Sequence, residues 1–346
     1  LPRLALLLAF LLALVAPRCF AAAPPPFVPV HYGHDDLTDI LAAHRLRCGT
    51  VTNEADFSMA ATHGNLADFA RDLCQATAAA LLGDKRAISL DGYPDDAHGL
   101  RELHEGKIDL LLGVTPDGPS ALPYDVGFAP TAFFDSQGFL VAKSSGITEP
   151  GQLAGKLVCF ITDTAQEQRM LDWEQQTGIH FAAHDFSERG EMSAAFEGGR
   201  CAAITDDVSE LAEMRASFSR PSREFVILPQ RMLIDPWAPA LRAGQVRLTA
   251  VVADVLSALI EAERLGITAA NVNGPHPGAE LLLGATPGIA ATLGMPDFWA
   301  VRAISAVGNY GEIFQRDLGR GSDMLLDRGP DALWSQGGML AATQIR

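Results

Sequence analysis

The sequence predicts an α/β protein made of two similar lobes joined by two crossings, and three observations predict it. Beyond Leu46, strand-like apolar runs alternate with helix-like amphipathic ones, the order that builds parallel sheets with helices on both faces. The corner "LHEGKIDLLLG" (residues 103–113) is echoed by "AFEGGRCAAITDD" (195–207), each running from helix-like sequence through Glu-Gly into a short apolar strand. Two extended stretches, "FFDSQGFLVAK" (133–143) and "IDPWAPALRAG" (234–244), stand where the chain would cross into a second lobe and return.

The amino end carries "LALLLAFLLALVA" (4–16), thirteen apolar residues after Arg3. A membrane-spanning helix needs about 20, so the run suits the apolar core of a secretory signal, with cleavage expected after Ala21. A lipid anchor at Cys19 is disfavoured by Arg18 before it. Residues 22–43, which contain the run Pro24–Pro26, are expected to form an extended arm. His31, His34, Asp35 and Asp36 within it read as solvated side chains in preference to a metal site.

In the first unit "LRCGTV" reads as a strand and "NLADFARDLCQATAAALLG" as an amphipathic helix closed by Gly83. "AISLDGY" (strand), "DDAHGLRELHEG" (helix) and "KIDLLLG" (buried strand) follow. The second unit repeats the order with "KLVCFI", "TAQEQRMLDWEQQTG" closed by Gly178, "IHFAAHDF", "ERGEMSAAFEGG" and "RCAAIT". After the return crossing, "QVRLTAVVADVLSALIEAERLG" and "DFWAVRAISAVGNYGEIFQRDLG" have helical periodicity, the second with Asp297 as expected cap. Parallel α/β sheets bind ligands beyond the carboxyl ends of their strands. The loops after residues 113 and 204 are therefore expected to face each other across a cleft, with the two crossings as hinge.

The formal charge is −16, and loss of Arg3 and Arg18 with the signal takes it to −18. Such a surface repels nucleic acid and anionic lipid, so neither is expected as a partner. About 325 mature residues suit two domains. Cys48, Cys74, Cys159 and Cys201 remain after the signal, and in an exported chain they permit two disulfides. Three connectivities are open, and sequence alone does not choose among them. The chain has no Cys-x-x-Cys pair, Gly-x-Ser-x-Gly elbow, His-Glu-x-x-His helix or phosphate loop. No catalytic residue, metal ligand or cofactor is therefore assigned. His180 and His184 would share a strand face as ordinary residues, and Asp206 beside Asp207 reads as a solvated or turn residue.

"LRCGTV", "DLCQATAAALLGD", "FFDSQGFLVAKS", "GRCAAITDDVSEL", "ALIEAERLGITAANV" and above all "DFWAVRAISAVGNYGEIFQRDLGRGS" with "ALWSQGGM" resemble one family. It is the periplasmic substrate-binding component of ABC transporters for general L-amino acids, in the polar amino-acid uptake group. The resemblance runs from about Leu46 to Arg346. It implies a two-lobed type II periplasmic binding protein fold with two hinge crossings and a helical carboxyl-terminal extension. With residues 1–21 read as the signal and 22–43 as the arm, 44–138 and 239–346 are expected to form lobe 1, and 139–238 lobe 2. It implies a periplasmic, monomeric solute-binding protein that captures an amino acid or related amine-bearing solute by lobe closure and delivers it to an inner-membrane ABC permease. Alternatives are a cationic ligand that is not an amino acid, a sensor as partner, or an exported dehydratase-like enzyme on the same scaffold.

The resemblance places Asp207 against a ligand α-ammonium. It puts Thr162, Asp163 and Thr164 in a ligand-holding loop that opens a helix, where Asp163 could instead cap. Phe57 and Tyr93 fall at positions of flat side chains against the ligand, and Thr115 at a lobe 1 threonine. The sequence departs from the family at the arginine expected shortly after Thr115, since "GVTPDGPSALPYD" has no basic residue. The cleft is thus expected to be acidic, with Asp117, Asp163, Asp206 and Asp207, to favour cations over free carboxylates, and to have Arg101 as a possible replacement anchor. Disulfides 48–74 and 159–201 are expected, because a bridge within each lobe leaves the hinge free whereas one between lobes would lock it.

Overall fold

Leu37 and Ile40 decide how the described chain begins. The computed structural model describes residues 37–51, 64–284 and 293–343; the signal segment 1–21, most of the expected arm and Phe57 lie outside them. Leu37 and Ile40 are three apart and both buried in the core, which a helix achieves and an extended arm does not. Helix α1 (Thr38–Ala43) results, correcting the end of the arm expected over 22–43.

The first sheet follows. Strand β1 (Leu46–Val51) is followed by α2 (Leu66–Leu82), whose Asn65 cap accepts from Asp68 N and whose end is Gly83 at φ 77°. Next come β2 (Ile88–Tyr93), α3 (Asp96–His104), capped by Asp95, and β3 (Leu110–Leu112). The short α4 (Gly118–Ala121) leads to β4 (Val126–Phe128). Parallel pairs β1–β2 and β1–β3 form the centre, as the alternation of strands and helices predicts.

Strand β5 (Phe133–Ala142) begins the second sheet, followed by β6 (Leu157–Ile161), α5 (Ala165–Thr177), β7 (Ala182–Phe186) and α6 (Arg189–Glu197). Strand β8 (Ala203–Asp207) feeds directly into α7 (Val208–Ser217), and β9 (Phe225–Ile227) and β10 (Leu233–Trp237) close the sheet. Its strand order is β10-β5-β8-β6-β7, with β9 also on β5. The chain then re-enters the first sheet as β11 (Ala240–Arg242), giving the order β2-β1-β3-β11-β4.

Both sheets are mixed, because each crossing adds antiparallel strands: β11 against β3 and β4, and β5 against β8, β9 and β10. The boundary expected at 138/139 falls inside β5, which pairs with β10 from Phe133 onward. The exchange of sheets lies in the segment between Phe128 and Phe133, and on return between Trp237 and Ala240.

Helices α8 (Val246–Arg264), α9 (Trp299–Val307) and α10 (Tyr310–Asp317) share one core with α2, including Leu73, Leu81, Leu259, Trp299 and Phe314. The expected single helix from Asp297 is two helices. Gly308 at φ 93° ends α9, and Asn309 starts α10 in a capping box with Glu312. Phe298, not Asp297, precedes α9. Cys48 on β1 is bonded to Cys74 on α2, and Cys159 on β6 to Cys201, so each bridge lies within one sheet's territory.

Candidate functional site

The site grows from the carboxyl end of β8. Asp207 closes that strand and stands immediately before α7. Its carboxylate accepts from Gln166 Nε2 at 2.6 Å and Arg169 Nη1 at 3.4 Å, both from the first turns of α5. The same guanidinium reaches a second carboxylate, with Arg169 Nη2 at 2.7 Å from Asp235 Oδ2 on β10. From the first sheet, Thr115 Oγ1 donates to Asp235 Oδ1 at 2.9 Å. One polar chain thus runs from the loop after β3, through a crossing strand, to the facing end of the second sheet.

Strand register sets this arrangement. Asp235 on β10 pairs opposite Asp135 on β5, and Asp207 on β8 opposite Gln137. Gln137 Nε2 donates to Gln166 O at 2.8 Å, tying α5 to the crossing strand. Asp135 is buried and accepts from Ser136 N and from both the N–H and hydroxyl of Ser209. Burial, then the neighbouring Asp207 charge, pushes its pKa well above the ordinary value. Burial also raises Asp207, against the lowering effects of Gln166 and Arg169. Asp96, opening α3 in the first sheet, is pushed up to about 6, first by burial and then by Asp235. Carboxylates crowded in this way favour a positive partner.

Asp206 departs from its expectation as a solvated residue. It is buried, accepts from Arg189 Nε at 3.2 Å and from Asp207 N at 2.9 Å, and burial pushes it up to about 7. Strand alternation explains this, because neighbours on β8 point to opposite faces. Only Asp207 turns towards Arg169.

The remaining expected residues divide. Thr115 joins the polar chain through Asp235. Thr164 is the cap of α5: its hydroxyl accepts from Glu167 N and donates to Ile161 O. Capping therefore belongs to Thr164, while Asp163 is exposed at φ 60° and donates its own N–H to Glu167. Thr162 is half-buried, and its N–H donates to Phe186 O. Tyr93 lies over Gly49 in the apolar cluster with Leu100, Leu103 and Leu111. Arg101 is exposed on α3, whereas Arg169 brings to Asp207 the cation that the acidic expectation lacked.

Sequence reasoning missed Gln166, Arg169, Asp135 and Asp235. One signal was present: an aspartate inside each apolar crossing stretch is unusual unless paired or functional. Their mutual contact depends on antiparallel register, which local pattern does not reveal.

No protein-family model matches the chain. The general L-amino acid-binding periplasmic protein AapJ of Rhizobium johnstonii is 34% identical over 320 residues, covering 90% of this chain and 92% of the relative. The chain belongs to the periplasmic amino-acid-binding proteins of ABC transporters. Another member, the glutamate/glutamine/aspartate/asparagine-binding protein BztA of Rhodobacter capsulatus, is 30% identical over 318 residues, covering 90% of this chain and 93% of its own. A solved ABC transporter periplasmic binding protein from Brucella ovis, with glutathione bound, matches with a TM-score of 0.75 and 31% identity. That match covers 90% of this chain and all of the other. The two sheets are accordingly the two lobes of the type II periplasmic binding protein fold. As a family member, this periplasmic-type binding protein works by holding a solute for transport. Among its described residues no helix is long and apolar enough to cross a membrane.

Proposed function

We propose that the protein captures an amine-bearing solute between its lobes in the periplasm and presents it, unchanged, to an ABC permease as a monomer. The observation that carries this reading is the position of Asp207: at a strand's carboxyl end, mostly buried, and already bonded to a cation. A ligand ammonium would make the strong charge-assisted bonds that such a carboxylate selects. Thr115 and Asp235 would meet the solute from lobe 1 and the crossing strand, with Thr162 lining the mouth of α5. Phe57 and Tyr93 remain candidates for flanking it. Lobe 1 comprises the first sheet with α8 to α10, lobe 2 the second sheet, and the two crossings the hinge. The relatives' names and the glutathione of the Brucella ovis structure make L-amino acids and glutathione the first probes.

Calorimetry tests the reading directly. A member of that set should bind wild type and lose affinity in Asp207→Asn, and should be recovered chemically unchanged after incubation. Binding should also shrink the radius of gyration in solution scattering, because only closed lobes touch the solute from both sides. Retained affinity in the variant would remove Asp207 from the site. The crowding of Asp96, Asp135, Asp207 and Asp235 favours a second reading, a cation that is not an amino acid. A diamine binding more tightly than every amino acid tested would select it.

A further inference from the structure

Resting on that reading, we propose that Arg169 sets the specificity of the site by receiving the solute's carboxylate. The solute enters by exchanging ion pairs with it. Its ammonium takes Arg169's place on Asp207, and its carboxylate takes Asp207's place on Arg169.

The two existing pairs are unequal in a way that suits this exchange. Arg169 holds Asp235 at 2.7 Å but Asp207 at only 3.4 Å. Both carboxylates are held by a second bond, Asp235 from Thr115 at 2.9 Å and Asp207 from Gln166 at 2.6 Å, so the pairs differ in how closely Arg169 engages them. A guanidinium has five N–H donors in a planar fork, and each carboxylate here engages one nitrogen. Arg169 can therefore stay tethered to Asp235 while its other edge turns from Asp207 to a ligand carboxylate.

Neighbouring cations are committed elsewhere. Arg189 bonds Asp206 and Glu210. Arg231 lies against Gly138 and donates to Leu228 O.

The exchange makes the site selective for zwitterions. A solute carrying both charges replaces each half of the broken pair, and no charge is left alone. A bare amine would occupy Asp207 but leave Arg169 with one partner fewer. A bare carboxylate would meet Asp96, Asp207 and Asp235 without supplying the ammonium that satisfies Asp207. Unpaired charge in a half-buried site is penalised, so either single-charge ligand binds less well. This reverses the cation preference expected from sequence, because that expectation had no cation facing Asp207.

The test compares the strongest binder among the L-amino acids with its α-carboxamide, by calorimetry on wild type, Arg169→Gln and Arg169→Lys. Wild type should prefer the free acid. Arg169→Gln should weaken the acid about 10- to 150-fold, the range for hydrogen bonds to charged groups. It should also tighten the amide, because Asp207 no longer has an internal competitor, so the acid-to-amide ratio collapses. Arg169→Lys, with a charge but no fork, should restore part of the ratio, and thermal melts confirm that each variant is folded. An unchanged ratio in Arg169→Gln would overturn the role of Arg169 while leaving the amine-binding reading intact. A wild type that prefers the amide would overturn it in favour of the cationic reading. Binding of neither acid nor amide by wild type would overturn the amine-binding reading and this inference together.

Discussion

The two lobes turn the same corner with the same hydrogen bonds and then end differently. In lobe 1, Lys107 N donates to Glu102 O, Gly106 N to Leu103 O, and Asp109 N to Arg47 O on β1. In lobe 2, Arg200 N donates to Ala195 O, Gly199 N to Phe196 O, and Ala202 N to Leu157 O on β6. Gly106 and Gly199 sit at φ 73° and 74°, the left-handed geometry that closes a helix. The equivalence runs at 93 residues, one more than the Glu-Gly match suggests, because Gly198 is still in the right-handed region and Gly199 makes the turn. On this equivalence Gly113 and Val114 of lobe 1 stand where lobe 2 has Asp206 and Asp207. Lobe 1's buried acid, Asp109, comes instead before its strand, where it binds Arg47 three times over. One scaffold thus places these two carboxylates differently: before the strand in lobe 1, at the strand's carboxyl end in lobe 2.

Breaking the disulfides tests the scaffold half of this comparison and should have the largest effect. Each lobe's core is split into two clusters, but one of lobe 1's is the extensive core that it shares with α8 to α10, which has no counterpart in lobe 2. The 159–201 bridge also closes the longer loop, a separation of 42 residues against 26 for 48–74. Chain entropy gives about 4 kcal/mol for the first and about 3.5 kcal/mol for the second. Replacing Cys159 and Cys201 by Ala should lower the urea midpoint at least as much as replacing Cys48 and Cys74, and greater tolerance in lobe 2 would contradict this weighting.

The acids come next. Asp109→Ala strips a buried acceptor from Arg47 N, Nε and Nη2, and should destabilise by about 3 kcal/mol. Ligand affinity should be nearly unchanged. Asp207→Ala should do the reverse, reducing affinity on the order of 100-fold. Its stability should change by less than about 1 kcal/mol, because Arg169 keeps Asp235 and removing Asp207 also relieves the burial of its charge. Parallel melts and titrations on the two variants decide the matter. If Asp207→Ala unfolds as readily as Asp109→Ala, the division of labour between the two carboxylates fails.

The fold was legible because its signals are local. The cap at Asn65, the left-handed Gly83 and Gly178, and the alternation of strands and helices each lie within a few residues. Asp207 and Thr115 were reachable through resemblance, but Arg169 was not. Its partners come from β8 and β10, 38 and 66 residues away, and only the crossing strands' register brings them together. Asp206 was misread for a related reason: a neighbour's role reveals nothing when strand alternation sends the two to opposite faces.

The smallest effect concerns the carboxyl-terminal extension, which uses a buried acid as lobe 1 does. Asp331 Oδ1 accepts from Phe134 N at 2.8 Å and from the Tyr310 hydroxyl at 3.3 Å, fastening the start of β5 to α10. Burial is the main reason its pKa is pushed up to about 8. The unfolded chain releases this proton near the ordinary value of about 3.9, so between roughly pH 4 and 8 the folded state holds a proton that the unfolded state has lost. Stability should therefore fall as pH rises through that window, by at most about 1.4 kcal/mol per pH unit from this group. Asp317, pushed to about 8 mainly by burial, and Asp206, to about 7, act in the same direction. Asp331→Asn keeps an amide oxygen for Phe134 and Tyr310 but cannot titrate. Urea midpoints measured from about pH 5.5 to 7.5 should fall less steeply in the variant than in wild type, with ligand affinity the same in both. An equal slope would mean that Asp331 is ionised in the fold at neutral pH. A change in affinity would mean that the extension, through β5, reaches the mouth of the cleft, and would break the separation of structural acids from ligand-facing ones.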